Sequence, residues 1–596
     1  MQKLLKLSAF LLLLPLLTPS YATGTERLSS ESAGWTAVMS GKALCRPCQT
    51  SYGFAVLTDA KMISACTDSG RILWERSVPG HPEPFLTVFS SDFLLSVCDQ
   101  KKLSLINPSG LTLWTVKVPF EITNSPLPGR DCRIFVKGKK HIACFGINGV
   151  CKWILETEPL RPENLFEMND GSLIAFLTVE PDGKTAAIRV DPFGEIKESI
   201  TFSGKIISAK SSEQGLLLYF AAGAAGMCVI RDGTASTKWT IPAADKAFRN
   251  TASESSSEFL ELGGTNGALF TTAFQNTRAI IFSMNDGRVS DFFDIPESLK
   301  NRMLVSAAND GKQILFCGKK NAYLYEITGT EIWKAEFPHN GDIFSKWNQL
   351  FMTQKNNLVI CSTNWAMAGF RINQNVSKKQ AKMAAQKKGY ESYYFSNKEQ
   401  LAFLDYSDKI PSTMTGYDRK KQLLQGNYGS KEIEFVSGLA DFCNAYRTFQ
   451  MQSASRPNLV QKSVFERDTS GVEKALLQLS AFGTDFFIKD LAVIIRSEKN
   501  TALLAAALKS VSECGFDPES KILNAIDLRV QNLPAASDGV LIILCDAVLE
   551  ICRFMGRPAL YSHGMDILNV LLNPQYSTNV RDRARETLKK IAAIKL

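Results

Sequence analysis

Asp68-Ser69-Gly70-Arg71-Ile72-Leu73-Trp74 decides the fold, because the chain repeats it. The unit is a turn ending in glycine, a short spacer and an aromatic residue. It returns as Pro108-Ser109-Gly110-Leu111-Thr112-Leu113-Trp114, as Asn148-Gly149-Val150-Cys151-Lys152-Trp153 and as Thr328-Gly329-Thr330-Glu331-Ile332-Trp333. Degenerate copies stand at Pro192-Phe193-Gly194, at Asp232-Gly233 with Trp239, and at Asp286-Gly287 with Phe292. The intervals between these glycines are 40, 39, 45, 39, 54 and 42 residues, the length of one four-stranded propeller blade. Each copy reads as a hairpin in which glycine takes the positive φ of the turn and the aromatic packs between neighbouring blades.

One interval shows the other strands. Phe85 to Phe89, Phe93 to Cys98, Lys102 to Ile106 and Gly110 to Val118 are four short apolar-rich runs separated by polar turns, the pattern of consecutive strands. Seven such hairpins are countable. After Trp333 three more strand-like runs follow, at Ile343 to Trp347, Gln349 to Thr353 and Leu358 to Ile372, with no further glycine–tryptophan unit. Gly34 and Trp35, followed by Thr36 to Met39, look like a strand without a blade. That early strand is a candidate fourth strand for the incomplete last blade, which makes eight blades and removes an exposed sheet edge. A seven-bladed ring is the alternative.

The glycine–tryptophan hairpins resemble the PQQ-like β-propeller repeat family, over roughly Gly34 to Ile372 and within a domain spanning 30–372. That family includes quinoprotein dehydrogenases and non-catalytic envelope propellers. For the dehydrogenases the resemblance implies an adjacent Cys-Cys pair on the quinone and a carboxylate base beside calcium. The chain has no Cys-Cys dipeptide and no Cys-x-x-Cys-His haem attachment. Trp74, Trp114, Trp153 and Trp333 read as blade-packing residues rather than ligand contacts.

Beyond the propeller the pattern changes. Residues 373–470 read as a linker and a mixed region without an assigned fold, and they include Lys378, Lys379, Lys382, Lys387 and Lys388 with no acid nearby. This run is a solvated segment or a peripheral contact for an anionic surface. From 471 to 596 the period is helical: Ile488, Leu491, Ile494 and Ile495 share one face, then Leu503, Leu504, Ala507, Leu508 and Val511. Asp517-Pro518-Glu519 reads as an N-cap followed by proline at the first helical position. Second helices of successive hairpins begin near Thr501, Asp538 and Thr578, a spacing close to the HEAT or armadillo period. The region therefore reads as a HEAT-like solenoid, with a helical bundle as the alternative.

The first 22 residues carry Lys3 and Lys6, a Leu-rich core from Ala9 to Leu17, and Ser20-Tyr21-Ala22. These are the three parts of a signal peptide cleaved after about Ala22, and the apolar run is shorter than the ~20 residues that span a bilayer. Export to a periplasm or beyond permits disulfides, yet most of the 14 cysteines sit in apolar runs as small hydrophobes. Cys45-Arg46-Pro47-Cys48 is the exception and a possible local disulfide.

Composition excludes several classes. The 596 residues are 45% hydrophobic and 21% charged, a globular multidomain balance. The net charge of +9 is spread along the chain and marks no nucleic-acid surface. The four histidines, His81, His141, His339 and His563, lie far apart in sequence, which offers no local metal set. No P-loop, Gly-x-Ser-x-Gly or His-Glu-x-x-His motif occurs. No catalytic residue, metal or cofactor is expected. The expectation is a seven- or eight-bladed β-propeller followed by an α-helical HEAT-like solenoid, acting as an exported, non-catalytic scaffold for partner proteins of the cell envelope. A quinone- or small-ligand-dependent oxidoreductase is the alternative. A coat-type propeller–solenoid shares the domain order, but the signal peptide argues against it.

Overall fold

The structure is a computed structural model. It describes residues 26–372 apart from several short stretches, together with 476–477 and with 488–595 apart from 499 and 533–536. Eight sheets form the N-terminal part. Blades 1 to 7 are four-stranded antiparallel units over 48–77, 82–117, 127–156, 161–201, 206–241, 257–295 and 304–336. Blade 8 takes three strands from the far end, Trp347–Met352, Asn357–Ser362 and Ala366–Arg371, and its outermost strand, Trp35–Val38, from the near end. Trp35 pairs with Gly369 and Val38 with Ala366. The ring is eight-bladed and closed by both ends of the propeller segment, and the count of seven falls away.

Three details differ from the sequence reading. Residues 341–346 form turns, so the run Ile343 to Trp347 contributes only its last residue to a strand. The run Leu358 to Ile372 is two strands folded about Thr363-Asn364-Trp365, where Trp365 adopts φ +62°. A short strand not foreseen, Glu26–Arg27, adds to the outer edge of blade 7 in parallel.

The middle strands are apolar on both faces because each blade is sandwiched between two others. Gly53–Leu57 in blade 1 and Phe93–Cys98 in blade 2 are buried throughout. Alternate residues then serve opposite neighbours: in blade 3, Ile134, Val136 and Ala143 pack toward blade 2, whereas Phe135, Ile142 and Cys144 pack toward blade 4. Eight apolar clusters result, one at each blade–blade interface.

The glycine turns lock these interfaces from the outside. The ring of Trp74 lies on Gly110 of the next blade, Trp114 on Gly149, Trp153 on Gly194 and Trp239 on Gly287. A Cβ at Gly110 would stand 2.7 Å from the Trp74 ring, and φ there is +84°, so only glycine fits both the turn and the approach. The indole N–H groups of Trp74, Trp114 and Trp239 donate to the carbonyls of Pro108, Ile147 and Met284 at 2.7–2.9 Å. Trp333 is buried in the cluster between blades 7 and 8. At the seam Trp35 lies on both Gly70 and Gly369, but its buried indole N–H has no hydrogen-bond partner. In blade 6 the aromatic on the next glycine, Gly329, is Phe293 and not Phe292. Strand alternation turns Phe292 outward, where it is exposed under the Arg278 guanidinium.

Among the described residues the C-terminal part forms six named helices: α1 Ile488–Ser497, α2 Thr501–Cys514, α3 Lys521–Asn532, α4 Asp538–Met555, α5 Pro558–Val570 and α6 Thr578–Lys595. Helices α1, α3 and α5 pack side by side in one layer, and α2, α4 and α6 in the other. That two-layer stack of helical hairpins has its second helices starting at Thr501, Asp538 and Thr578. Helix α3 begins at Lys521 and not at Pro518, because 518–520 form a turn in which Ser520 has φ +59°.

Trp74→Ala removes a ring packed across an interface together with its N–H bond, and is expected to cost about 3–5 kcal/mol. The unfolding midpoint in denaturant measures this; a midpoint equal to wild type would refute the interlocking role. Gly110→Val, which leaves Trp74 in place, should lower the midpoint too.

Candidate interaction surfaces

The apolar cluster between blades 2 and 3 differs from the other seven: it continues into the helices. Phe93 of blade 2 faces Phe554 at the end of α4, with ring centroids 5.6 Å apart, and Phe516 of the α2–α3 link at 6.3 Å. Phe516 and Phe554 also meet, at 6.2 Å, so three rings span the junction at distances where edge and offset contacts are favourable.

Polar groups fix the register of this contact. Asn107, fully buried in the blade 2 turn, accepts with Oδ1 from the backbone N–H of Ser109 and of Leu111 and from the Ser109 hydroxyl. Its Nδ2 donates to the carbonyl of Arg553 in the last turn of α4, at 2.8 Å. A helix end leaves carbonyls unpaired, and here a propeller side chain satisfies one of them. Gly556 follows as a left-handed C-cap with φ +60°, and a Cβ there would meet the Asn107 amide at 2.6 Å. The Arg557 guanidinium donates to the Pro518 carbonyl at 3.2 Å and to the Ser91 carbonyl of blade 2 at 3.4 Å. Sequence reading missed Phe93, Asn107, Phe516, Phe554 and Arg557. Asn107 holds the same place before the glycine as Thr67 in blade 1, so no local pattern singles it out.

Behind the junction Asp517 is fully buried. It accepts from the Leu523 backbone N–H at 2.8 Å and so caps α3 from outside. Burial pushes its carboxyl up to about 6, against the pull of the α3 backbone N–H groups.

The helices touch the propeller at the Ser90–Asp92 and Asn107–Gly110 loops, which join first to second and third to fourth strands. The opposite face carries the links between blades and the turns between second and third strands. There the Cys45–Cys48 link leads into the innermost strand of blade 1. Arg46 lies within electrostatic reach of Glu258 on the innermost strand of blade 6, and Lys210 of blade 5 acts on Glu258 as well. The surrounding protein raises the Glu258 carboxyl, and the two cations oppose that rise. Charges from the blade 1 link and from blades 5 and 6 thus act on one another across the ring.

Cys45 and Cys48 stand as thiols at this link, packed against the cluster between blades 1 and 2. The Cys48 Sγ–H points at the Leu86 carbonyl, 2.8 Å away. Burial pushes Cys45 up to about 11 and Cys48 to about 12, far from the thiolate range of reactive cysteines. Among the described residues no group of three or more His, Cys, Asp or Glu could hold a metal ion, and no helix is long and apolar enough to cross a membrane. Residues 1–22, read above as a signal peptide, and Lys378, Lys379, Lys382, Lys387 and Lys388 lie outside the described residues.

The fold defines a closed eight-bladed propeller with a docked two-layer helical array. No family model matches the chain, and no curated protein matches it. Among solved structures, BamB from Moraxella catarrhalis aligns over 57% of this chain and 99% of its own, with 13% identity and a TM-score of 0.40. Sqt1 of Saccharomyces cerevisiae aligns over 58% and 99%, with 11% identity and a TM-score of 0.42. The WD40 propeller domain of Doa1 aligns over 59% and 98%, with 8% identity and a TM-score of 0.33. The strand pairing, and not these likenesses, establishes the propeller.

Asn107→Ala leaves the Arg553 carbonyl without its donor and is expected to weaken docking by about 1–3 kcal/mol. Faster amide exchange at the end of α4, with the blade cores unchanged, would show it; unchanged exchange would refute the lock. Asp517 has a folded pKa above the ordinary carboxylate value, so the folded state holds its proton more tightly than the unfolded one. Its contribution therefore falls as pH rises from about 4 to about 6 and is level above that. The Asp517→Asn protein should lack this component, and its melting temperature relative to wild type should be higher at pH 7.5 than at pH 4. Parallel pH profiles would contradict the assignment.

Proposed function

We propose that the chain is an exported, non-catalytic interaction scaffold that holds partner proteins in a cell envelope, and that helices α1 to α6 are HEAT-like repeats. One observation carries the reading: the blade 2–blade 3 core runs on into the helical array through Phe93, Phe516 and Phe554. A helical array fixed in register on a propeller presents two partner-binding elements at a set geometry, the rim of loops and the surface of stacked helices. The N-terminal basic and apolar pattern supports export, with the mature chain beginning near Thr23. Lys378, Lys379, Lys382, Lys387 and Lys388 would add a peripheral contact with an anionic surface. The half-buried Cys45 and Cys48 thiols, pushed up to about 11 and about 12, offer no reactive thiolate for redox chemistry.

Crosslinking followed by affinity capture from the cell envelope tests the scaffold. The full chain should retain a protein partner that a chain ending at residue 470 loses. Capture of nothing by either would sink the proposal. N-terminal sequencing of the secreted product checks the export step, for which a start near residue 23 is expected.

A further inference from the structure

Asp517 stands one residue behind the propeller contact on both links that make it. On the α2–α3 link its neighbours are Phe516, whose ring lies 6.3 Å from that of Phe93, and Pro518. The Pro518 carbonyl accepts from the same Arg557 guanidinium that reaches the Ser91 carbonyl of blade 2. The Asp517 backbone N–H points at the Met555 sulfur, 3.4 Å away. Met555 in turn stands between Phe554, which meets Phe93, and Gly556, which lies against the Asn107 amide.

A link between two helices ordinarily lies at the surface. Here Gly515 to Pro518 are all buried, because the end of the array that carries them is the end that meets blade 2. A charged carboxylate is poorly served in that site. Oδ2 accepts from the Leu523 N–H, whereas Oδ1 is buried without a hydrogen-bond donor. Half of the charge is left unsatisfied, and burying such a group costs far more when it is ionised than when it is neutral.

Other charged groups stand on each element around it. Glu519, on the same turn, pairs with Lys521 and raises the Asp517 carboxyl further. Glu513 lies near the end of α2, Glu550 and Arg553 pair with each other on α4, and Arg557 belongs to the α4–α5 link. On blade 2 the Asp92 carboxylate accepts from the backbone N–H and the hydroxyl of Ser51.

We propose that docking of the helical array on blade 2 is proton-linked through Asp517: the array docks with this carboxyl protonated, and loss of the proton to solvent favours a state in which the α2–α3 link has left the propeller and Asp517 meets water. The proposal concerns contacts within one chain and needs no partner, so its failure leaves the scaffold reading standing.

The sign follows from linkage. The docked carboxyl is raised to about 6 from an ordinary 3.8, so the docked state holds the proton more tightly than the open one. Docking is therefore strongest below about pH 4, weakens as pH rises toward about 6 and is level above that. Between pH 5 and pH 7.5 it should weaken about tenfold.

Amide hydrogen exchange of the full chain at pH 5, 6 and 7.5, corrected for the intrinsic exchange rate, tests this. Opening at the end of α4, at 515–518 and at the 90–92 and 107–110 loops is expected to be about tenfold more frequent at pH 7.5 than at pH 5, with the blade cores unchanged. Asp517→Asn, neutral at every pH, should show the same opening at both. Asn107→Ala, which weakens docking without touching the carboxyl, should raise opening at both pH values and keep the tenfold ratio. Equal opening of the wild-type junction at pH 5 and pH 7.5 would overturn the proposal. So would a pH dependence that survives in Asp517→Asn, or one shared equally by the blade cores.

Discussion

Everything in this molecule depends on an aromatic ring laid on a neighbouring glycine. Within a blade, backbone hydrogen bonds hold four strands together, but nothing in that ladder ties one blade to the next. The ties are apolar side chains on both faces and, outside them, the contacts of Trp74 on Gly110, Trp114 on Gly149, Trp153 on Gly194 and Trp239 on Gly287. Each contact requires a residue without a side chain in a left-handed turn. Spacing along the chain and packing around the ring are therefore one constraint seen twice. Trp35 applies it to the ends, lying on Gly70 of blade 1 from the outer strand of blade 8.

That constraint explains which parts were legible. The propeller could be read because its signature is local: glycine, spacer and tryptophan fall within seven residues of each other in every clear copy. The eighth blade could be read because one unit lacked a strand and one strand lacked a unit. Phe292 misled because adjacent residues of a strand face opposite ways, and composition does not say which of two neighbouring phenylalanines meets Gly329. The start of α3 was misplaced for a related reason. Asp517 caps the helix across a turn at Ser520, a backbone choice that the Asp-Pro pair does not encode.

The docking of the helices left no trace in the sequence. Asn107 and Arg553 are 446 residues apart, and each looks ordinary where it stands: an asparagine in a turn, an arginine near a helix end. Their meaning arises only when the blade 2 turn meets the end of α4, where a side-chain amide replaces the water that an open helix terminus would bind.

The ring is closed by a strand that leaves the ribosome among the first residues of the propeller and waits for three strands that leave it last. Until residue 371 has been made, blade 8 cannot form, and the interior seven units stand as an open arc with an unpaired apolar face at each end. Long-range pairing of this kind slows folding, and unpaired apolar faces and strand edges are where chains associate wrongly. The seam is also the interface whose buried indole N–H lacks a protein partner. The lifetime of the open arc, rather than the stability of any blade, would then set how much of this protein reaches its closed form.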